Sequence, residues 1–138
     1  MGLREDMLSI PLGQRFTYDP QQNLFFVNFE RFPVRSRAEI RAIVKAVEDK
    51  LTPLGHRVYA IVNYDNFSIL PELLDEYSAA VCSLVDRFYS GVSRYTTSGF
   101  LRMKLGEALQ KRGVAPHIFE SAAEAQSDFH SLEKSAAE

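Results

Sequence analysis

The feature of this sequence that most constrains its fold is the apolar run 58–62, Val-Tyr-Ala-Ile-Val, which ends abruptly in a polar cluster that begins at Asn63. A short β-branched and aromatic run of this kind is typical of a strand buried on both faces, with helices on either side of the sheet. In open α/β sheets, functional loops lie at the carboxyl ends of such strands. The run therefore predicts the centre of the core, and the loop after it is the first place to look for a site.

The composition excludes several classes of protein. The chain has 138 residues, of which 46% are hydrophobic and 25% are charged, and this suits one soluble domain that needs no disulfide or metal to hold its core. Its net charge of -2 argues against a nucleic-acid partner, which requires a basic face. The first residues lack the apolar core of a signal peptide, and no apolar run is long enough to span a bilayer. The single cysteine, Cys82, fits a reducing compartment, so we expect a cytoplasmic protein with no membrane partner.

Local signals predict the element order β-β-α-β-α-β-α-β-α. Strands at 15–18 and 24–29 flank a turn and form an antiparallel hairpin, and the aromatic residues of this hairpin are expected to pack in the core. Ser36 and Glu39 have the spacing of a capping box at the start of the first helix. Gly91 is expected to end the second helix, before a brief strand at 92–95.

Strands that alternate with helices imply right-handed crossovers and a mixed, mainly parallel sheet with flanking helices. We therefore expect an α/β domain at residues 15–133. Residues 1–14 are interpreted as an N-terminal arm or linker stub whose Leu8, Ile10 and Leu12 could pack on a neighbouring surface, and residues 134–138 as a frayed tail.

Two loops at the carboxyl ends of parallel strands are the candidate site. The loop 64–68 contains hydrogen-bonding side chains, and its simplest interpretation is a turn in which Asp65 and Asn66 bond the backbone. The segment 94–98 combines an arginine with hydroxyls at a helix start, which suits an anion site, although plain helix capping is the alternative. The candidate ligand- or partner-binding residues are Tyr64, Asp65, Asn66, Ser68, Arg94, Tyr95, Thr96, Thr97 and Ser98.

Motifs for other chemistry are weak. The histidines lie far apart in the sequence, and Cys82 has no cysteine partner, so we expect no metal site. No Gly-x-Ser-x-Gly elbow or glycine-rich phosphate loop occurs, and Cys82 is interpreted as a packing residue within a helix. We expect no catalytic residue and no cofactor in this domain, although whether the chain belongs to an enzyme stays open.

Two resemblances to known families add to this interpretation. The element order resembles the STAS fold of anti-sigma-factor antagonists, in which the loop after the central strand carries a regulatory serine at a helix start. Ser68 falls in the comparable loop, but this chain has Asp-Asn-Phe-Ser-Ile-Leu-Pro where that family has Asp-Ser-Ser-Gly.

The second resemblance covers nearly the whole chain. The runs 1–4, 23–29, 58–67, 93–98 and 102–109 resemble the C-terminal extension of some bacterial acyl-CoA:acetate/3-ketoacid CoA-transferases. This implies a parent enzyme that passes coenzyme A between carboxylic acids, through a catalytic glutamate on transferase domains that this sequence does not contain. Coenzyme A would then be a substrate of the parent enzyme.

The resemblance implies a non-catalytic, STAS-like C-terminal accessory domain with an interdomain, assembly or regulatory role. Its partners would be the transferase domains of the same polypeptide or further copies in a homo-oligomer. The alternative is a free-standing STAS-type module that binds a protein or an anion and is switched by a partner or by phosphorylation at Ser68. If Arg94 serves an anion site, Arg94→Ala should weaken anion binding and leave the melting temperature nearly unchanged.

Overall fold

Five strands form one twisted sheet in the computed structural model, which describes residues 11–114 and 118–137. The strands of this sheet are β1 (Phe16–Asp19), β2 (Leu24–Asn28), β4 (Val58–Asn63), β6 (Tyr89–Tyr95) and β7 (Ile118–Phe119), in the order β1-β2-β4-β6-β7. β1 is antiparallel to β2, and the remaining pairs are parallel. Two short strands, β3 (Pro33–Val34) and β5 (Ser68–Ile69), form a separate parallel pair.

Four α-helices flank the sheet: α1 (Arg37–Leu51), α2 (Leu74–Phe88), α3 (Gly99–Lys111) and α4 (Ala122–Ala137). Short 3-10 helices cover Leu12–Arg15, Thr52–Leu54 and Pro71–Leu73. The expected class, α/β with a mixed and mostly parallel sheet and flanking helices, is confirmed. The element order differs from the expected one by β3 and β5, whose two-residue length leaves no alternating pattern in the sequence.

β4 divides its side chains between two apolar clusters. Val58, Ala60 and Val62 belong to the larger cluster, which α1, α2 and α3 cover. Tyr59 and Ile61 belong to the smaller one, which Ala125 and Phe129 of α4 help to form. All five of these strand residues are less than 9% exposed, so the apolar run is a central strand buried on both faces.

The helix boundaries follow local signals where such signals are strong. Ser36 caps α1 by accepting a hydrogen bond from the Glu39 amide, as the sequence predicts. The Glu39 carboxylate accepts from the Arg35 amide at 2.7 Å, one residue before the expected donor. Gly113, at φ 75°, follows α3, and its amide donates to the Gln110 carbonyl, which closes the helix.

Gly91 does not end α2, and this corrects the sequence-based assignment. The helix ends at Phe88, and Gly91 lies inside β6, which is longer than the expected strand at 92–95. It pairs with Tyr59 at an irregularity of register, where Val58 pairs with Tyr89. The Arg57 guanidinium supplies the stop at α2 by donating to the main-chain carbonyls of Val85, Asp86 and Tyr89.

The terminal segments are partly described. Leu12 packs against the larger cluster, and Arg15, which was assigned to the first strand, ends a 3-10 helix instead. Leu8 and Ile10 lie outside the described residues. No helix in the described part of the chain is long and apolar enough to cross a membrane.

Candidate functional site

The two candidate loops lie side by side at one edge of the sheet, as predicted. The Tyr64 amide donates to the Tyr95 carbonyl at 2.9 Å. The Asp65 carboxylate accepts from the Thr97 amide at 2.7 Å. These two bonds join the loop after β4 to the segment after β6, and Asp65 therefore has a structural role between the loops.

The loop after β4 is a hydrogen-bonded turn. The Asp65 amide donates to the Asn63 side-chain oxygen at 2.8 Å, and the Asp65 carbonyl accepts from the Arg31 amide at 3.0 Å. Asn66 is exposed and has φ 57°, a left-handed conformation that asparagine tolerates better than most residues. The side-chain bond within this turn therefore comes from Asn63, whereas the sequence suggested Asp65 and Asn66, and the Asp65 carboxylate bonds the main chain of the other loop at Thr97.

Arg94 lies in the core instead of at the loop surface. Its side chain is 1% exposed and lines a cavity of about 30 Å³ between β6, β4, α1 and α2. It forms a side-chain hydrogen bond with Tyr64, whose hydroxyl is 2.7 Å from that of Tyr77. The cavity has room for little more than a water molecule, and ligand pockets are typically about 300–1,000 Å³. Arg94 is therefore a buried residue of the core, and this argues against the anion site that was one of the two interpretations of the segment 94–98.

The buried tyrosines around Arg94 have raised pKa values. Burial raises the pKa of Tyr64 above its ordinary value, and the nearby Arg94 charge opposes that rise. Burial also raises the pKa of Tyr77 and of Tyr89, in each case with some opposition from Arg94. Desolvation penalises a phenolate more than a phenol, so these hydroxyls stay protonated and act as neutral hydrogen-bonding groups.

The segment after β6 caps α3. The Ser98 hydroxyl accepts from the Leu101 amide at 3.1 Å, so Ser98 is the cap among the three hydroxyl residues that could serve. Thr96 is fully buried, and its hydroxyl accepts from the Ser98 amide. The guanidinium beside this segment belongs to Arg102, which donates to the Thr96 carbonyl at 2.7 Å and lies 3.5 Å from the Glu120 carboxylate. Helix capping thus accounts for the Ser98 hydroxyl, and the Thr96 hydroxyl bonds the main chain within the same segment.

A groove of about 480 Å³ opens beside these loops, between β5 and the first turns of α3. Its size falls within the range of binding sites. We call it the β5–α3 groove. It is lined by Phe67, Ser68, Ile69, Pro71, Leu74, Ser98, Phe100, Leu101 and Lys104. Only Ser68 and Ser98 of the sequence-predicted set belong to it.

Large apolar side chains are exposed in and near this groove. Phe100 is 70% exposed and lines the groove, while Met103, on the same helix, is 51% exposed. Leu70, directly after β5, is 40% exposed. The sequence held a signal for the helix residues, since Phe100 and Met103 fall outside the apolar period of Leu101 and Leu105 that packs α3 on the core.

A second polar cluster, which the sequence did not suggest, lies on the opposite face of the sheet. The Asp128 carboxylate of α4 accepts from the Ser93 hydroxyl at 3.0 Å and from the Tyr59 hydroxyl at 3.2 Å. Ser93 is fully buried, and burial raises the pKa of Tyr59. The cluster fastens α4 to two central strands, and only the folded sheet brings its three members together.

No group of three or more histidine, cysteine, aspartate or glutamate side chains that could hold a metal occurs within the described ranges. Comparisons with known proteins found no matching family model, no matching curated protein and no matching solved structure. The β5–α3 groove is therefore the arrangement on which a functional interpretation can be built.

Proposed function

We propose that this chain is a non-catalytic binding domain that contacts another protein segment through the β5–α3 groove. The observation that carries this proposal is the exposure of Phe100, which is 70% exposed on the rim of a groove of about 480 Å³. Exposed apolar side chains around a groove mark sites of protein or ligand contact. The groove lies at the carboxyl ends of the parallel strands, where α/β folds bind their ligands.

The finer proposal concerns the setting of the domain. We infer a STAS-like accessory domain of a CoA-transferase of the acyl-CoA:acetate/3-ketoacid type, docked on the transferase domains of its own polypeptide or on another copy. Support comes from the long runs quoted above and from the groove, since an interface between domains would cover such a surface. Coenzyme A would be handled by the parent enzyme, and this domain would serve packing, assembly or regulation.

The native gene product tests this setting directly. Its intact mass should be measured from cells with an antibody raised against this domain. A polypeptide several times heavier than 15.7 kDa would support the accessory domain, and a product of 15.7 kDa would overturn it. In the heavier case, turnover should then be compared with and without the domain.

A free-standing STAS-type regulatory module is the second candidate, and the exposure of Ser68 favours it. The geometry differs from a serine at a helix start, because Ser68 lies in β5 and the 3-10 helix Pro71–Leu73 separates it from α2. A phosphate on Ser68 would therefore change the groove and would not cap a helix. A mass increase of one phosphate on the native protein, lost in Ser68→Ala, would support this candidate; its absence under growth and stress conditions would count against it.

A further inference from the structure

The strand β5 pairs on one edge only. The Ser68 amide donates to the Phe32 carbonyl and the Leu70 amide to the Val34 carbonyl, both at 3.1 Å. Successive residues of a strand direct their main-chain groups to opposite edges, so the N–H and C=O of Ile69 point away from β3. Within the described residues, no hydrogen bond satisfies this pair of groups. β5 therefore offers a donor and an acceptor to an incoming strand.

The β5–α3 groove adjoins β5. One of its walls is formed by Ile69, Pro71 and Leu74, and the other by Phe100 and Leu101. A segment paired with Ile69 would place alternate side chains between these walls, because side chains in an extended chain alternate with a period of two. Main-chain bonds give such a complex affinity, and pockets for alternate side chains give it specificity.

The charge of the groove comes from Lys104. Its ammonium group lies 5.9 Å from the centre of the Phe100 ring, and no described carboxylate pairs with it. Asp75, on the neighbouring helix, pairs with Arg112 instead, at 2.8 Å. A carboxylate on the bound segment would complement Lys104.

We propose that the β5–α3 groove binds an extended peptide segment as a third strand beside β5, with alternate apolar side chains in the groove and an acidic side chain at Lys104. This inference rests on the proposed function as a binding domain, and it adds the conformation and chemistry of the partner. Only Ile69 supplies main-chain bonds, so the apolar contacts and the acidic group carry most of the selectivity.

The test begins with a library of random heptapeptides displayed on phage and selected against the full chain. The expected winners alternate apolar residues and carry one aspartate or glutamate. A synthetic copy of the strongest binder should then shift the NMR amide signals of Ile69, Phe100 and Lys104. Failure to select any peptide, or shifts confined to another surface, would overturn the proposal.

Paired variants, one in the groove and one outside it, distinguish specific binding in the groove from non-specific apolar or electrostatic binding. Phe100→Ala should weaken peptide binding by about tenfold, while Met103→Ala, a truncation of another exposed apolar side chain on the same helix but outside the groove lining, should change affinity by less than about twofold. Lys104→Glu should weaken binding by about three- to tenfold, and exchanging the acidic residue of the peptide for lysine should restore it. Lys111→Glu makes the same charge change at an exposed site outside the groove and should have little effect. Equal losses in both members of each pair would refute the groove as the site.

N-methylated peptides test the main-chain hydrogen bonds between Ile69 and the bound segment. A peptide N-methylated at the residue whose amide faces the Ile69 carbonyl cannot donate that bond, and it should bind at least about tenfold more weakly than one methylated a residue away, whose amide points to the other edge. Equal affinities would rule out strand addition and leave only side-chain docking. The intact-mass measurement is independent of these results: peptide binding by a product of 15.7 kDa would retain the groove and remove the CoA-transferase setting. A heavier product without peptide binding would do the reverse.

Discussion

Gly91→Ala should destabilise the protein, because the space for a methyl group at this position is already occupied. An ideal Cβ on Gly91 would lie 2.8 Å from Cε2 and 3.0 Å from Cδ2 of the Tyr59 ring. The ring cannot easily move, since it packs 4.8 Å from the Phe129 ring centre and its hydroxyl bonds Ser93 and Asp128. The added carbon must therefore push apart either the two strands or the ring and α4.

The size of the effect follows from two opposing contributions. Overpacking of a well-filled core costs about 1–3 kcal/mol. Replacing glycine by alanine in an allowed conformation stabilises a protein by about 0.4–1 kcal/mol, because it lowers the conformational entropy of the unfolded chain. The free energy of unfolding should therefore fall by about 1–2 kcal/mol, and the melting temperature by about 3–6 °C for a chain of this size.

Urea denaturation followed by circular dichroism measures this change, and Gly13→Ala is the matched control. No atom lies within 4 Å of the ideal Cβ of Gly13, so that substitution should be neutral or stabilising by a few tenths of a kcal/mol. In a Tyr59→Val background the colliding ring is gone, and Gly91→Ala should then cost almost nothing. A coupling of about 1 kcal/mol or more between the two positions is expected.

Two results would refute the reasoning. Gly91→Ala could unfold at the same or a higher urea concentration than the parent chain, which would mean that the strands accommodate the methyl group freely. Alternatively, the loss could be the same with and without the Tyr59 ring, which would place its cause elsewhere.

Three further predictions concern the core and α3. Arg94→Ala should lower the free energy of unfolding by about 3 kcal/mol or more, measured by urea denaturation, because it empties a buried site and removes a hydrogen bond from Tyr64. A loss below about 1 kcal/mol would contradict a buried, hydrogen-bonded Arg94. Burial raises the pKa of Tyr77 above its ordinary 10.0, so the folded chain keeps a proton that the unfolded chain releases. This contribution is fully present below pH 10 and is lost as pH rises, with a slope of up to about 1.4 kcal/mol per pH unit; Tyr77→Phe should show a shallower decline between pH 10 and 11.5, and identical slopes would contradict the assignment. Ser98→Ala should cost about 1 kcal/mol through loss of the α3 cap, whereas Thr97→Ala, beside it and exposed, should cost less than half as much in the same assay.

The parts of the fold that were predictable from sequence are determined by residues close to one another along the chain. The run that became β4 needs only its own composition to indicate a buried strand. The Ser36 cap and the Gly113 stop each depend on neighbours within one helical turn. Such local signals were enough for the α/β class and for the meeting of the two loops, since parallel strands end at the same edge.

The parts that were missed depend on partners far along the chain. Arg94 was considered for an anion site because the sequence shows no partner for it, but the hydroxyl that it bonds belongs to Tyr64, in the loop after β4. A glycine such as Gly91 at the end of an apolar helical pattern indicates a helix stop. The reason for a glycine here is the Tyr59 ring, which lies against this position only in the folded sheet. The free edge of β5 has no sequence signal of its own, because it follows from pairing with Pro33 and Val34.

The central position of β4 also has a consequence for the route by which the chain folds. Val62 pairs with Val27 on one side and with Arg94 on the other, and a helix-containing crossover lies between each pair. Closing both crossovers costs chain entropy before the contacts of β4 can form and stabilise the chain. The β1–β2 hairpin, in contrast, closes over a short loop. The rate-limiting step of refolding should therefore be the joining of β4 to its two neighbours. Substitutions in β4 would slow refolding, and substitutions in the hairpin would act mainly on the rate of unfolding.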